Sequence, residues 1–397
     1  MNPPTSSSPP ESLQWFGDMI AHCEAHARSA GGPIVGIMCE YAPRELILAA
    51  GAIPVCLCGG DADTITAAEA HLPANLCPLI KSTYGYFLEK SNPFLEGADL
   101  VIAETTCDGK KKMFELMSQA RPTYLVELPQ KEDDPEAMAH WVAELERLQQ
   151  FLESRYGVAI TTDKVRDAIR LMNRERRLRR GLAELMKADV PPLKGRQLLD
   201  CRSIISGIDS DLEHYQRLLD ELRTKFDPET DFYSLRPPAG GGCAHPVRVL
   251  LTGVPVVHGA ERVVDLIEEH GGLIVCQENC TGLKPILEEV PEDSPDPLRA
   301  LAEKYYHLPC SVRTPNRRRI ELLRRLAAEY RVDCVIELIW QACLTYAVES
   351  FQVRRLAEEE LGLPYLRIET DYSPTDSARI AVRIEALVEM VRSRRNA

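Results

Sequence analysis

The sequence is short of several things, and each shortage excludes a class of function. No apolar run reaches the length of a membrane span, so the chain reads as a protein without membrane segments. The opening MNPPTSSSPP has neither the charged nor the apolar region of a secretion signal. It reads as a disordered tail, and the protein is expected in the cytoplasm. Positive charge is in deficit: 47 Lys and Arg stand against 60 Asp and Glu, a net charge of −13. That balance argues against nucleic-acid binding carried by bulk electrostatics. No pair of cysteines has C-x-x-C spacing, so a zinc ribbon and a ferredoxin-type run are both excluded.

What the chain does have is thiols. There are 13 cysteines in 397 residues, an odd number in a setting where reducing conditions disfavour disulfides. Such a surplus means small buried hydrophobes, catalytic thiols or metal ligands. Cys334, in the apolar run Val332–Ile336, reads as core. Cys56 and Cys58 alternate within Ile53–Cys58, share one strand face and read as packing residues. Cys23 and Cys201 lie in helical stretches without supporting neighbours, and Cys243 follows a Gly-rich linker. Seven remain: Cys39, Cys77, Cys107, Cys276, Cys280, Cys310 and Cys343.

The chain length predicts two or three domains. After the tail and an N-terminal helix (1–30), strands and helices alternate over 31–134. Pro33–Met38, Ile53–Cys58, Leu100–Ala103 and Thr123–Glu127 read as strands, and Thr64–Lys90 as a helix interrupted near Pro73 and Pro78. Residues 135–236 carry only helical spacing, with a basic run at Arg174–Arg180 that reads as a solvated face. PPAGGG at 237–242 is a linker signal. Over 243–397 the strand–helix alternation returns, with strands at Val247–Leu251, Leu273–Val275, Cys334–Ile339 and Tyr365–Ile368. Helices are expected at Gly259–His270, Pro315–Tyr330, Ser350–Leu361 and Ser377–Arg394. The fold class is α/β: two doubly wound parallel-sheet lobes, Rossmann or flavodoxin-like, joined by helices and enclosing a cleft.

Cys39, Cys107, Cys280 and Cys343 each follow a strand, two in each lobe, while Cys77 and Cys310 sit in loops beside prolines. Strand exits of parallel sheets share an edge, so facing lobes bring such thiols together. Soft thiolates select zinc, copper(I) or iron–sulfur. The residues alone also fit scattered structural cysteines, and Cys276, at a strand end four residues before Cys280, is the weakest of the seven. Glu40, Tyr41, Glu104 and Glu278 lie beside these cysteines and are candidate proton carriers, or equally loop and cap residues. His258 and His307 are isolated, and Lys110–Lys112 and Arg317–Arg319 either offset a negative cofactor or coat a helix start.

The segments CEYAPRELILAAGAIPV from Cys39, NLCPLIKSTYG, TTCDGKKKMFEL, ENCTG and IELIWQAC carry a resemblance to a known family. With PYLRIETDYS and RIEALVEM they cover nearly the whole chain from about Pro33. The chain resembles subunits of the 2-hydroxyacyl-CoA dehydratase and benzoyl-CoA reductase superfamily, and within it the double-cubane cluster proteins. The resemblance implies that Cys39, Cys77, Cys107, Cys280, Cys310 and Cys343 hold an [8Fe–9S] double-cubane cluster, two [4Fe–4S] cubanes bridged by sulfide. Glu40, Tyr41 and Glu278, by their place beside these cysteines, are the catalytic residues expected of such a site. The resemblance further implies a homodimer, an ATP-hydrolysing iron–sulfur reductase as electron-donating partner, and reduction of small molecules such as acetylene, azide or hydrazine. The sequence has no G-x-x-x-x-G-K-S/T phosphate loop, in keeping with ATP being handled by that partner. The alternative within the superfamily is a dehydratase subunit in which Cys77, Cys107 and Cys343 hold one [4Fe–4S] cluster and a 2-hydroxyacyl-CoA loses water.

Overall fold

A computed structural model describes residues 11–225 and 246–395. Eight strands form two four-stranded sheets in which every pairing is parallel. The first sheet contains β1 (Ile34–Ile37), β2 (Ile53–Cys56), β3 (Ala98–Glu104) and β4 (Thr123–Val126). The second contains β5 (Val247–Gly253), β6 (Gly272–Glu278), β7 (Cys334–Trp340) and β8 (Tyr365–Thr370). The orders are β2-β1-β3-β4 and β6-β5-β7-β8, the same permutation twice. In each, the chain leaves the first strand towards one side and returns on the other. That opens a crevice at the carboxyl ends of β1 and β3, and likewise of β5 and β7. Strands β6 and β7 are buried at every residue, which is why they read as continuous apolar runs. The two-lobe α/β expectation is met.

The region between the lobes is helical, as expected: Pro135–Tyr156, Thr162–Leu185 and Asp209–Lys225, with a short Gly195–Asp200 too brief to show periodicity. The basic run is not a solvated face. Arg176 is buried and pairs with Glu45 of the first lobe at 2.5 Å, while Arg177 and Arg180 reach Glu289 of the second. A helix at Pro297–Tyr306 adds to those expected; Asp296 caps it by accepting from the Arg299 amide, and Pro297 occupies its first position. Trp141 of the connecting helices donates to the Ala302 carbonyl on it at 3.1 Å. The helix expected from Ser350 starts at Leu344. Its first turns expose Leu344, Val348 and Phe351, which spoils the amphipathic pattern by which a helix is read. Within 64–90 only Ile65–Ala68 and Pro78–Glu89 are helical. Cys243, the tail and the PPAGGG linker lie outside the described residues.

The lobes touch backbone to backbone. A Cβ on Gly60 would stand 1.9 Å from the His258 carbonyl oxygen, and one on Gly259 would meet Gly60 O at 2.8 Å. Tyr372 of the second lobe donates to Gly59 O at 2.9 Å beside this contact. Gly60→Ala is expected to cost about 1–3 kcal/mol by overpacking. Gly17→Ala, with open space around it, should stay within about 0.5 kcal/mol. Thermal denaturation of the two variants checks this, and equal midpoints would contradict it.

Candidate functional site

Three cysteines occupy helix amino termini. Cys77 is the N-cap of Pro78–Glu89, Cys107 of Asp108–Ser118 and Cys343 of Leu344–Arg355. Unpaired amides and the positive end of the helix dipole face each position, a setting that favours a thiolate or an anionic group. Amides of Leu79 and Ile80 reach the Cys77 sulfur, and that of Tyr346 reaches Cys343. Burial nevertheless pushes the metal-free thiols up, Cys77 to about 11 and Cys343 to about 12. Ala342, just before Cys343, has φ of +60°, a left-handed conformation costing roughly 1–3 kcal/mol and found most often at functional turns. Electrostatically, Cys77 faces Cys107, and Cys343 faces both.

The other three lie in turns and lean on side-chain cations. Cys280, after β6, shares a hydrogen bond with Cys310, and both Cys310 and Cys280 face Cys39, the thiol that follows β1. Burial pushes Cys39 up to about 12 despite Lys110. Cys310 is held down by the Cys280 hydrogen bond and by Lys284, at the expense of Cys280, which is raised. Lys284 Nζ is buried 3.0 Å from both Glu278 Oε1 and the Tyr346 hydroxyl. Arg319 anchors this layer: fully buried, it pairs with Glu278, Glu337 and Glu349 and donates to Thr252 at 2.8 Å.

All six cysteines line one cavity of about 120 Å³ between the lobes, walled by Met38, Ile80, Val254, Val257, Trp340 and Tyr346. The two groups of three are crossed. Cys77 and Cys107 of the first lobe are completed by Cys343 of the second; Cys280 and Cys310 of the second are completed by Cys39 of the first. Among the described residues, the trio whose ligand atoms lie within 4.8 Å of one another is Glu127, His140 and Glu144, elsewhere in the fold. The thiols therefore ring a volume instead of converging on a single ion. Cys276 is on the far side of β6, packed with Leu273 and Leu283 and away from the cavity.

Cys56 and Cys58, read from the sequence as packing residues, also line the cavity. They share a hydrogen bond, and Arg202 stands 3.7 Å from Cys56 Sγ. A signal was available. Cys56 ends β2 and Cys58 follows it; β2 holds the place in its sheet that β6 holds in the other, and Cys280 follows β6. Cys334 is buried in the apolar core, as expected, and Cys23 and Cys201 are buried as well.

The candidate proton carriers separate. Glu40 is on the cavity wall but is held ionised: against its burial, Arg44 at 2.8 Å and Arg202 at 3.3 Å keep its carboxyl low. Tyr41 is off the wall, donating to Leu308 O at 3.2 Å. Glu278 is off the wall too, paired with Lys284 and Arg319. Glu104 differs: buried, with no close hydrogen bond to its carboxylate oxygens, it is pushed up to about 7 by desolvation. Of the lysine run, Lys110 alone enters the cavity, donating to Met38 O at 2.5 Å and facing Cys39, Cys58 and Cys107. Lys111 and Lys112 pair outward with Asp108 and Glu115. His258 bonds to Arg202 O at 3.0 Å, and His307 is half-buried in another cleft.

Two parallel-sheet lobes delivering thiols from opposite strand exits define a two-lobed α/β protein with a shared cysteine cavity. The model of the family described as 2-hydroxyglutaryl-CoA dehydratase, D-component, matches residues 39–391, and the chain belongs to that family. It is 40% identical over 374 residues to a putative dehydratase subunit, YjiM, of Escherichia coli, covering 92% of this chain and 93% of the relative. It is 24% identical to the (R)-phenyllactyl-CoA dehydratase beta subunit of Clostridium sporogenes, over 92% and 93% of the two chains. Over 41% of its length it is 28% identical to a benzoyl-CoA reductase subunit of Thauera aromatica, of which the match spans 45%. The chain is thus a dehydratase-like component of a dehydratase and reductase family. Among the described residues no helix is long and apolar enough to cross a membrane.

Removing one partner of a buried ion network strands the others. Arg319→Met leaves Glu278, Glu337 and Glu349 short of a counter-charge and should cost about 3–5 kcal/mol. Urea denaturation checks this; a loss under about 1 kcal/mol would show that the network does not support the second thiol group.

Proposed function

We propose that the cavity holds an [8Fe–9S] double-cubane cluster, with Cys77, Cys107 and Cys343 on one cubane and Cys39, Cys280 and Cys310 on the other. The observation that carries this reading is that six of the eight cavity thiols fall into two crossed groups of three around one volume, while Cys56 and Cys58 are hydrogen-bonded to each other. Their chemistry fits: soft sulfur donors, buried, with amide and ammonium groups facing them. When bound, the cluster supplies low-potential electrons, received from an ATP-hydrolysing iron–sulfur reductase, to a small unsaturated or nitrogen-containing substrate. The chain's own residues do the rest. The helix amino termini and Lys110 offset the negative charge of a thiolate-bound cofactor. The apolar wall of Met38, Val254, Val257 and Trp340 limits water. Glu104, with a carboxyl pushed up to about 7, keeps a proton beside Lys110 and Cys39. The working unit is a homodimer in the cytoplasm.

The second reading is a 2-hydroxyacyl-CoA dehydratase subunit with one [4Fe–4S] cluster on Cys77, Cys107 and Cys343, favoured by the names of the relatives as dehydratase subunits. Iron and sulfide analysis of anaerobically purified protein separates the two. About eight iron atoms per chain are expected, and about four would reject the double cubane. Cys343→Ser and Cys39→Ser should each lower the iron content, whereas Cys334→Ser, in the core, should leave it unchanged. Equal iron in Cys39→Ser and wild type would remove the second group from the ligand set.

A further inference from the structure

Behind the thiol cavity lies a smaller one that shares Glu40, Cys56 and Arg202 with it. Its volume, about 20 Å³, suits one water-sized particle or a small ion. The wall is cationic, and its charges can be followed one by one. Glu40 serves both Arg44 and Arg202. Arg176 takes Glu45 at 2.5 Å, and Arg179 takes Glu175 at 3.3 Å. Lys304, also in the wall, has no carboxylate within 4 Å among the described residues; its acceptor is the Pro285 carbonyl at 3.3 Å, and the Tyr305 ring lies 4.7 Å from its Nζ. Lys304 is 8% exposed and also borders a larger cleft lined by Lys284, His307 and Arg318.

Five cations thus meet three carboxylates in a buried space. Even with Cys56 as a thiolate, which its Cys58 hydrogen bond and Arg202 favour, Lys304 remains without a counter-charge of its own. Buried charges are almost always paired. Burial, with Arg176 nearby, presses the Lys304 ammonium down to about 7 against the pull of Glu45 and Glu40. We infer that this cavity binds a small monovalent anion, of the size of a halide, azide or formate, with Lys304 as its hydrogen-bond donor. The site uses N–H donors where the neighbouring cavity uses thiols, and it stands whether or not a cluster occupies the latter.

The test uses the full chain and bromide. Crystals soaked in sodium bromide and measured at the bromine edge should show an anomalous peak within hydrogen-bond reach of Lys304 Nζ, absent from Lys304→Met. In solution, bromide or azide should raise the melting temperature of the wild type at fixed ionic strength. Lys304→Met should weaken the apparent affinity by about tenfold or more, the loss of one charge-assisted hydrogen bond. Lys304→Arg, which keeps the charge, should retain binding and covers the case in which the methionine variant does not fold. No peak in wild-type crystals, or the same anion response in wild type and Lys304→Met, would overturn the assignment.

Discussion

Neither lobe owns a complete set of thiols. Each places two of one group at its own strand exits and loops and lends the third to the other, Cys343 crossing one way and Cys39 the other. A group bound by either set of three would therefore be held by both sheets at once. The rest of the architecture follows from keeping the two sheets in register across that gap. The connecting helices send Arg176 into the first lobe and Arg177 and Arg180 towards the second. Trp141 is bonded to the backbone of a second-lobe helix. Of these pairs, Arg176 with Glu45 has both partners out of water, while Arg177, Arg180 and Glu289 stay partly exposed and their pairing is worth less.

The two groups of three are not electrostatic equivalents. Around Cys77, Cys107 and Cys343 the positive potential comes from backbone amides at three helix starts, which carry no side chain to lose. Around Cys280 and Cys310 it comes from Lys284 and Arg319, themselves balanced by Glu278, Glu337 and Glu349. Lys110 faces members of both groups. Two metal centres in such surroundings would have different potentials, since hydrogen bonding and local charge set them.

Much of this was legible in the sequence because its signals are local. Strand runs such as Val247–Leu251 and the position of a thiol after several of them needed only periodicity, and the family-like segments singled out six cysteines that line the cavity. What was not legible depended on which face a side chain takes in three dimensions. Cys56 and Cys58 alternate like core residues, and only the finished sheet shows that their shared face meets the cavity. Arg176 looks like its solvated neighbours until Glu45 is brought beneath it from 131 residues away. Tyr41 and Glu278 adjoin cavity cysteines in the chain, yet the strand's alternation and the turn after it direct both elsewhere. The first turns of the helix from Leu344 escape detection because their apolar residues face outward, where periodicity expects polar ones.

The contact at Gly60 and His258 limits how closely the two lobes approach. Two main chains meet there with no side chain between them, and Tyr372 fastens the same spot from the second lobe. Peptide groups cannot be compressed or rotated aside as a flexible side chain can. The sheets cannot come closer at this point, so the approach of the two lobes is fixed by the backbone itself and not by any side chain that could be exchanged.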